Sequence, residues 1–113
     1  MVNTREVIKS YEDAIQNHID FVAKARGYDN GYTCASYFED KNARYASDAH
    51  VFKDWRSDVW VYVNQLLNSY QSAFEGEDEI PASALVGYPT PDEVIAQLPQ
   101  IEWKDITEAV EEE

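Results

Sequence analysis

The stretch from Asn42 to Phe74 contains neither proline nor glycine, and its apolar residues recur in steps of three and four. Steps of this size place side chains on one face of an α-helix. At ~1.5 Å per residue the helix would be roughly 50 Å long, whereas a domain of this size has a radius of gyration of only ~13 Å. The sequence therefore predicts one long helix with other segments laid along it, or two helices broken near its start.

The apolar face of this stretch changes direction part-way along it. Arg56 occupies the position where an apolar residue would continue the first seam, and Trp55 supplies bulk one position earlier. Such a stutter turns the apolar stripe around the helix, so the two halves can pack on different neighbours. The first seam is Tyr45, Ala49 and Phe52; the second is Val59, Val63, Leu66, Tyr70 and Ala73, with Trp60, Leu67 and Phe74 beside it.

Cap and stop residues predict the remaining helices. Short side chains whose oxygen accepts a backbone N–H favour helix starts, and glycine or proline favours helix ends. Thr90 is followed by Pro91 and Glu93, which complete a capping box. The predicted starts are at Asn3 or Thr4, at Asp29 or Asn30 and at Thr90; the predicted ends are at Gly27, Gly76 and Pro99.

These elements predict an all-α protein, a small helical hairpin or bundle built on one long central helix, with a short capped C-terminal helix and an acidic tail. Helix 1 is expected to pair antiparallel with the long helix. Residues 1–75 form the predicted helical core domain. Residues 76–113 form an acidic linker, extended over residues 80–89, followed by the short helix and the tail.

The formal charge of −13 is distributed unevenly. Residues 1–74 hold ten acids and eight bases, whereas residues 75–113 hold twelve acids and one base, Lys104. Direct binding to nucleic-acid phosphates needs clustered Lys and Arg, so this charge pattern argues against it. An acidic terminal segment is more typical of a solvated tail or of a segment that meets a basic partner.

Several features predict a cytoplasmic protein or one carried inside a particle. No apolar run approaches the ~20 residues of a membrane span, and the first residues lack the apolar segment of a signal peptide. The single cysteine, Cys34, excludes an internal disulfide and fits a reducing compartment. We therefore expect no membrane association.

The sequence offers no catalytic, metal-binding or cofactor-binding pattern. His18 and His50 lack the Cys ligands or Glu-x-x-His pairs of common metal sites, so they are interpreted as packing or surface residues. Cys34 needs an adjacent histidine to act as a nucleophile and is interpreted as a buried apolar residue. Arg56 lies between two tryptophans and has two interpretations: a guanidinium stacked on an indole while paired with an acid, which we favour, or a binding hot spot.

Four motifs follow one another along the chain. They are Gly27-Tyr28-Asp29, Cys34-Ala35-Ser36-Tyr37, Phe52-x-x-Trp55-Arg56-x-x-Val59-Trp60 and Pro91-x-x-Val94-Ile95-x-x-Leu98-Pro99. In these motifs the chain resembles small proteins of tailed bacteriophages and prophages that are encoded beside tail-fibre genes and often labelled hypothetical or tail-fibre assembly proteins. The resemblance covers about residues 8–103 and departs in the acidic stretch at residues 75–88 and at the acidic end.

The resemblance implies a tail or tail-fibre accessory protein that binds a phage tail protein as an assembly chaperone, in the host cytoplasm or in the virion. Alternatives are a permanent virion adaptor and, ranked lower, an acidic DNA-mimic inhibitor of a host enzyme; an enzyme ranks last. Pairing of residues 59–73 with a second copy of the chain would cover the exposed face of the long helix. We therefore predict a homodimer, which light scattering would test. The proposed partner-binding residues are Arg56, Trp60, Leu67, Phe74 and Trp103.

Overall fold

The computed structural model describes residues 2–85 and 87–104. The prediction of an all-α protein built on one long central helix is confirmed, and so is the short capped helix near the C-terminal end. The predicted acidic tail after Lys104 lies outside the described residues. The helices are α1 (Thr4–Ala25), α2 (Gly31–Ser36), α3 (Ala43–Ala73) and α4 (Pro91–Gln97); two short strands are β1 (Val2–Asn3) and β2 (Glu79–Ile80).

An asparagine caps each of the first three helices. In each case its side-chain oxygen accepts N–H groups of the first turn, which otherwise lack an intrahelical partner. Two of the predicted helix starts had two candidate cap residues, and in each of them the asparagine is the residue that caps the helix. Asn3 accepts from Arg5 and Glu6 (2.9 and 3.1 Å), Asn30 from Thr33 (2.8 Å), and Asn42 from Arg44 and Tyr45 (3.0 and 3.2 Å).

Gly27 ends α1 as predicted. Its φ of +108° lies in the left-handed region that glycine enters without strain. The Gly27 N–H donates to the carbonyl of Lys24 at 3.0 Å, and the Tyr28 N–H donates to that of Ala23 at 3.0 Å. This pair of hydrogen bonds is the Schellman motif, which satisfies the last carbonyls of the helix.

The chain divides into two compact units that are each discontinuous in sequence. Unit 1 comprises Met1–His18 and Trp60–Leu98; unit 2 comprises Ile19–Val59 and the segment that begins at Pro99. Both α1 and α3 contribute residues to both units. Residues of the predicted linker and short helix belong to unit 1. Ile80, Val94 and Leu98 are buried there.

Unit 1 is built around the first half of α1 and the second half of α3. The Thr4 N–H donates to the carbonyl of Asp78 at 2.9 Å, and β1 pairs antiparallel with β2 in the register Val2 to Ile80. This strand pair and a 3₁₀ turn at Ala82–Leu85 replace the extended linker that was predicted. The buried apolar side chains of unit 1 are Tyr11, Ile15, Val63, Leu67, Tyr70, Ile80, Val94 and Leu98.

Unit 2 packs α2 closely against α1 and α3. The Gly31 N–H donates to the Asp20 carboxylate at 2.9 Å. A Cβ at Gly31 would lie 3.1 Å from the Phe52 ring and 3.2 Å from Ile19, so this close approach favours glycine. The buried apolar side chains of unit 2 are Ile19, Ala23, Cys34, Ala49, Phe52, Trp55 and Val59.

The second seam of α3 differs from the predicted one. Leu67, predicted to flank the seam, is only 4% exposed, whereas Leu66 is half-buried and Ala73 is exposed. A straight helix has 3.6 residues per turn, so an apolar stripe drifts away from a strict seven-residue repeat. The other members of the seam up to Tyr70 are buried as predicted, so the seam shifts by one residue only at Leu67.

Two buried tyrosines of unit 1 predict opposite effects of losing a hydroxyl. The Tyr70 hydroxyl is buried and has no hydrogen-bond partner among the described residues, whereas the Tyr11 hydroxyl donates to the carbonyl of Pro89. Because a buried unpaired polar group costs free energy, Tyr70→Phe should leave the free energy of unfolding unchanged or raise it by about 1 kcal/mol. Tyr11→Phe should lower it by about 1 kcal/mol. Urea unfolding of both variants checks this; a loss of stability in Tyr70→Phe would show that its hydroxyl is satisfied.

Candidate protein-binding surface

The outward-facing part of α3 in unit 1 carries no charge. Residues 60–74 contain no Asp, Glu, Lys or Arg, although charged residues make up 27% of the chain. Val61 is 59% exposed and Tyr62 is 37% exposed. Depletion of charged residues is typical of the centre of a protein interface. We call this surface the outer face of α3; its exposed residues are Val61, Tyr62, Asn64, Gln65, Asn68, Ser69, Gln71 and Ser72.

A groove of about 620 Å³ opens beside this face, between α3 and α4. Its walls come from side chains spaced four apart on each helix, and the loop before α4 adds Tyr88 and Pro89. The Tyr62 hydroxyl donates to Gln97 Oε1 at 2.7 Å and so links the two walls. The α3–α4 groove is lined by Tyr62, Leu66, Gly87, Tyr88, Pro89, Glu93 and Gln97.

The capping box of α4 positions the acidic side of the groove. Glu93 Oε1 accepts the Thr90 N–H at 2.8 Å, and the Thr90 hydroxyl oxygen accepts the Glu93 N–H at 3.1 Å. Pro91 occupies the first turn, as predicted. Val94 and Leu98 are buried, so the opposite side of α4 is held in the core of unit 1. The Glu93 carboxylate is therefore fixed at the rim of the groove.

Aromatic packing holds the loop that forms the end of the groove. The Tyr88 ring meets Tyr70 edge-on at 5.5 Å and Phe74 at 6.0 Å between ring centroids. Pro89 accepts the hydroxyl of Tyr11, and burial raises the pKa of Tyr11. Tyr11 thus remains a neutral hydrogen-bond donor at physiological pH. These contacts give the loop a defined position in unit 1.

Unit 1, to which this surface belongs, is strongly acidic as a whole. It holds nine acidic residues and two basic ones, Arg5 and Lys9. Lys9 is paired with Asp13 at 2.9 Å, although both side chains are well exposed. An excess of carboxylates creates a negative potential that attracts cationic groups. The uncharged outer face of α3 and the α3–α4 groove therefore lie in a unit that favours a basic partner.

The proposed partner-binding residues are distributed over both units. In unit 1, Trp60 is half-buried, Leu67 is buried in the core, and Phe74 packs on Tyr70 with ring centroids 5.0 Å apart. Leu67 is therefore a core residue rather than an open surface residue in this structure. Arg56 and Trp103 belong to unit 2, and both are half-buried.

The sequence interpretation missed Tyr62, Tyr88 and Gln97. Tyr62 lies off the apolar seam, and the other two are distant in sequence, so periodicity gave no reason to select them. The absence of charge in residues 60–74 was visible in the sequence and would have directed attention to this part of α3.

A buried carboxylate organises unit 2. Asp48 is 1% exposed and accepts two hydrogen bonds from Arg26, each 3.1 Å long, and one from the Tyr28 hydroxyl at 2.9 Å. Burial raises the pKa of Tyr28, and its hydrogen bond to Asp48 raises it further. Ionised, hydrogen-bonded pairs of this kind satisfy a buried charge. The cluster is fully explained as a structural element.

Arg26 also contacts the segment that follows Pro99. The Arg26 guanidinium lies 4.9 Å from the centre of the Trp103 ring and donates to the Lys104 carbonyl at 3.5 Å. Trp103 stacks on Phe52 with centroids 6.4 Å apart, and the Trp55 indole N–H donates to the Pro99 carbonyl at 2.7 Å. A contact between a guanidinium and an indole was predicted for Arg56, whereas the structure shows one between Arg26 and Trp103. For Arg56, the described residues show neither an ion pair nor a stacked ring.

The nucleophile and ligand candidates remain without a supporting geometry. Within residues 2–85 and 87–104, no three His, Cys, Asp or Glu side chains are grouped so that they could hold a metal ion. Partial burial lowers the pKa of His18. Over the same residues, none of the helices has the length and apolar composition required to cross a bilayer.

Cys34 is expected to be chemically inert in the folded chain. Its side chain is buried, and burial raises the pKa of the thiol to about 12, with a further contribution from Asp48. Because the thiolate is the reactive form, a thiol reagent at about pH 8 should modify the unfolded chain rapidly and the native chain very slowly. Fast modification of the native chain would contradict the burial.

The raised pKa of Cys34 also predicts how stability depends on pH. The contribution of Cys34 to the free energy of unfolding is complete below pH 9.0 and decreases as the pH rises toward 12.

Comparison with known proteins found no match: no protein-family model, no curated protein and no solved structure is similar to the chain. The function proposed below therefore rests on the geometry of the surface, and the biological setting rests on the sequence resemblance.

Proposed function

We propose that the chain is a protein-binding accessory protein of a tailed bacteriophage and acts as an assembly chaperone for a tail-fibre protein. The observation that carries the binding role is the uncharged outer face of α3, with Val61 and Tyr62 exposed in an otherwise acidic chain. Exposed apolar and aromatic groups without charge favour association with another protein surface. The phage setting is an inference from the resemblance of residues 8–103.

The proposed mechanism is the shielding of an unassembled surface. The client would cover the outer face of α3 and the α3–α4 groove, where burial of tyrosine and aliphatic side chains supplies free energy. The acidic excess of unit 1 would keep the complex soluble, because net charge opposes association between complexes. Protein binding and the phage setting are separate parts of the proposal, and one experiment can test both.

The experiment is co-expression with the tail-fibre protein encoded in the same phage, followed by purification of soluble complex and of finished particles. Tyr62→Lys places a charge on the proposed surface and should abolish co-purification. Tyr32→Lys is the matched control, since Tyr32 is 83% exposed and lies on α2 of unit 2. Circular dichroism establishes that both variants are folded.

The outcomes separate the candidate roles. A soluble complex whose chaperone is absent from particles supports the proposal. Retention in the particle instead indicates a permanent virion adaptor. Absence of any complex with tail proteins would overturn the proposed setting, and equal loss of binding in both tyrosine variants would overturn the proposed surface.

A further inference from the structure

The α3–α4 groove combines three features that together specify one kind of side chain. Its walls carry two tyrosine rings, Tyr62 and Tyr88, and an aliphatic side chain, Leu66. Its rim carries the Glu93 carboxylate, and Gln97 lies at the other end of the same wall. An open groove that places aliphatic and aromatic groups beside an anion fits a long side chain with an aliphatic stem and a cationic head.

We infer that the α3–α4 groove binds an arginine side chain presented by an extended, basic segment of the partner protein. The stem of the arginine would pack on Leu66, and its guanidinium would lie on a tyrosine ring and pair with Glu93. This inference rests on the proposed function, because it names the chemistry of the client at the proposed surface.

Hydrogen-bonding capacity supports this assignment. Glu93 uses Oε1 to accept the Thr90 N–H, and a carboxylate has about four acceptor positions, so it can accept further bonds. Gln97 uses Oε1 to accept the Tyr62 hydroxyl, while its amide carries N–H donors that suit a partner's backbone carbonyls. The groove therefore offers acceptors to a cation and donors to a peptide chain.

The charge of unit 1 favours a cationic occupant over the alternatives. With nine acidic and two basic residues, the unit repels an acidic segment and gives an uncharged one no electrostatic advantage. A volume of about 620 Å³ lies within the range of small-molecule sites, so the groove has room for an arginine side chain and adjoining backbone.

The decisive variant is Glu93→Gln, which removes the charge and keeps the fold. A capping box accepts Gln in place of Glu, so the hydrogen bond to the Thr90 N–H is retained and thermal stability should change little. Asp92→Asn is the matched control, since it removes the same charge from the adjacent exposed position of α4 outside the groove lining. Both changes alter the first turn of α4, so effects on the helix dipole are also matched.

The full chain would be used to select binders from a display library of random short linear peptides. Selected peptides should be enriched in arginine, and replacing that arginine with uncharged citrulline should weaken binding about tenfold, as expected for loss of a charge-assisted contact. Glu93→Gln should weaken binding of the original peptide to a similar extent, whereas Asp92→Asn should not. Added salt should weaken binding to the wild-type chain.

Three results would overturn the inference: selected peptides without basic residues, binding that is indifferent to citrulline, or equal effects of the two α4 variants. The last would indicate a diffuse acidic field rather than a groove. If the tail-fibre protein binds through Tyr62 but peptides show no preference for arginine, the inference fails and the proposed function stands. If arginine peptides bind but the tail-fibre protein does not, the proposed function fails and the groove has another partner.

Discussion

Replacing Asp48 with alanine is expected to lower the free energy of unfolding by about 3 kcal/mol. The substitution leaves the Arg26 guanidinium and the Tyr28 hydroxyl without the carboxylate that accepts from both. Removing one partner of a buried ion pair typically costs about 3–5 kcal/mol, and the lower value applies because the Arg26 side chain is 24% exposed. Urea unfolding followed by circular dichroism measures the loss.

Asp58→Ala provides the control for that experiment. Asp58 is an exposed carboxylate on the same helix, so its removal should change the free energy of unfolding by less than about 0.5 kcal/mol. A decrease at Asp48 no larger than at Asp58 would show that the Arg26–Asp48 pair contributes nothing net. Loss of the pair should also expose Trp103 to solvent, which its fluorescence would report.

Phe52→Ala is expected to lower the free energy of unfolding by about 3–5 kcal/mol, because it removes a fully buried ring and leaves a cavity. Phe52 is 0% exposed, stacks on Trp103 and meets Trp55 with ring centroids 5.8 Å apart. The Phe52 ring also lies against Gly31 of α2. A shift of α2 toward α3 would therefore fill only part of the cavity that the substitution leaves. Thermal or urea unfolding checks the prediction.

Phe21→Ala is the matched substitution for Phe52→Ala. Phe21 is 66% exposed, so truncating it should cost less than about 1 kcal/mol. Comparable losses for the two variants would contradict the placement of Phe52 at the centre of unit 2. Because the two substitutions are chemically identical, their difference isolates the effect of burial.

Helix starts and ends could be predicted from sequence because they are decided locally. Asn3, Asn30 and Thr90 each satisfy an N–H group three residues away, and Gly27 supplies the left-handed backbone conformation that ends α1. The length of α3 follows from a pattern within a single segment. None of these features depends on where distant parts of the chain lie.

Features decided by distant residues were not accessible to the same reasoning. The β1–β2 pair joins two-residue strands, too short to show a period, and buries Ile80 in a segment whose acids suggested a linker. Aspartate is normally exposed, so nothing nearby marked Asp48 as buried; its partner Arg26 lies on the other side of α2 in sequence. The α3–α4 groove likewise needs Tyr62 and Gln97 to meet, which only the tertiary structure provides.

The discontinuity of unit 1 has a consequence for how the chain matures on the ribosome. Val2 pairs with Ile80, and Tyr11 donates to the carbonyl of Pro89, so β1 and α1 contact residues that are made much later. At ~5–20 residues per second, Val2 waits roughly 4–16 s for its partner to be polymerised. Unit 1 therefore closes only after α4 has been synthesised, and a nascent chain that stops before α4 leaves the apolar side of the first part of α1 uncovered. Synthesis of α4, rather than stepwise folding from the first helix, commits unit 1 to its native state.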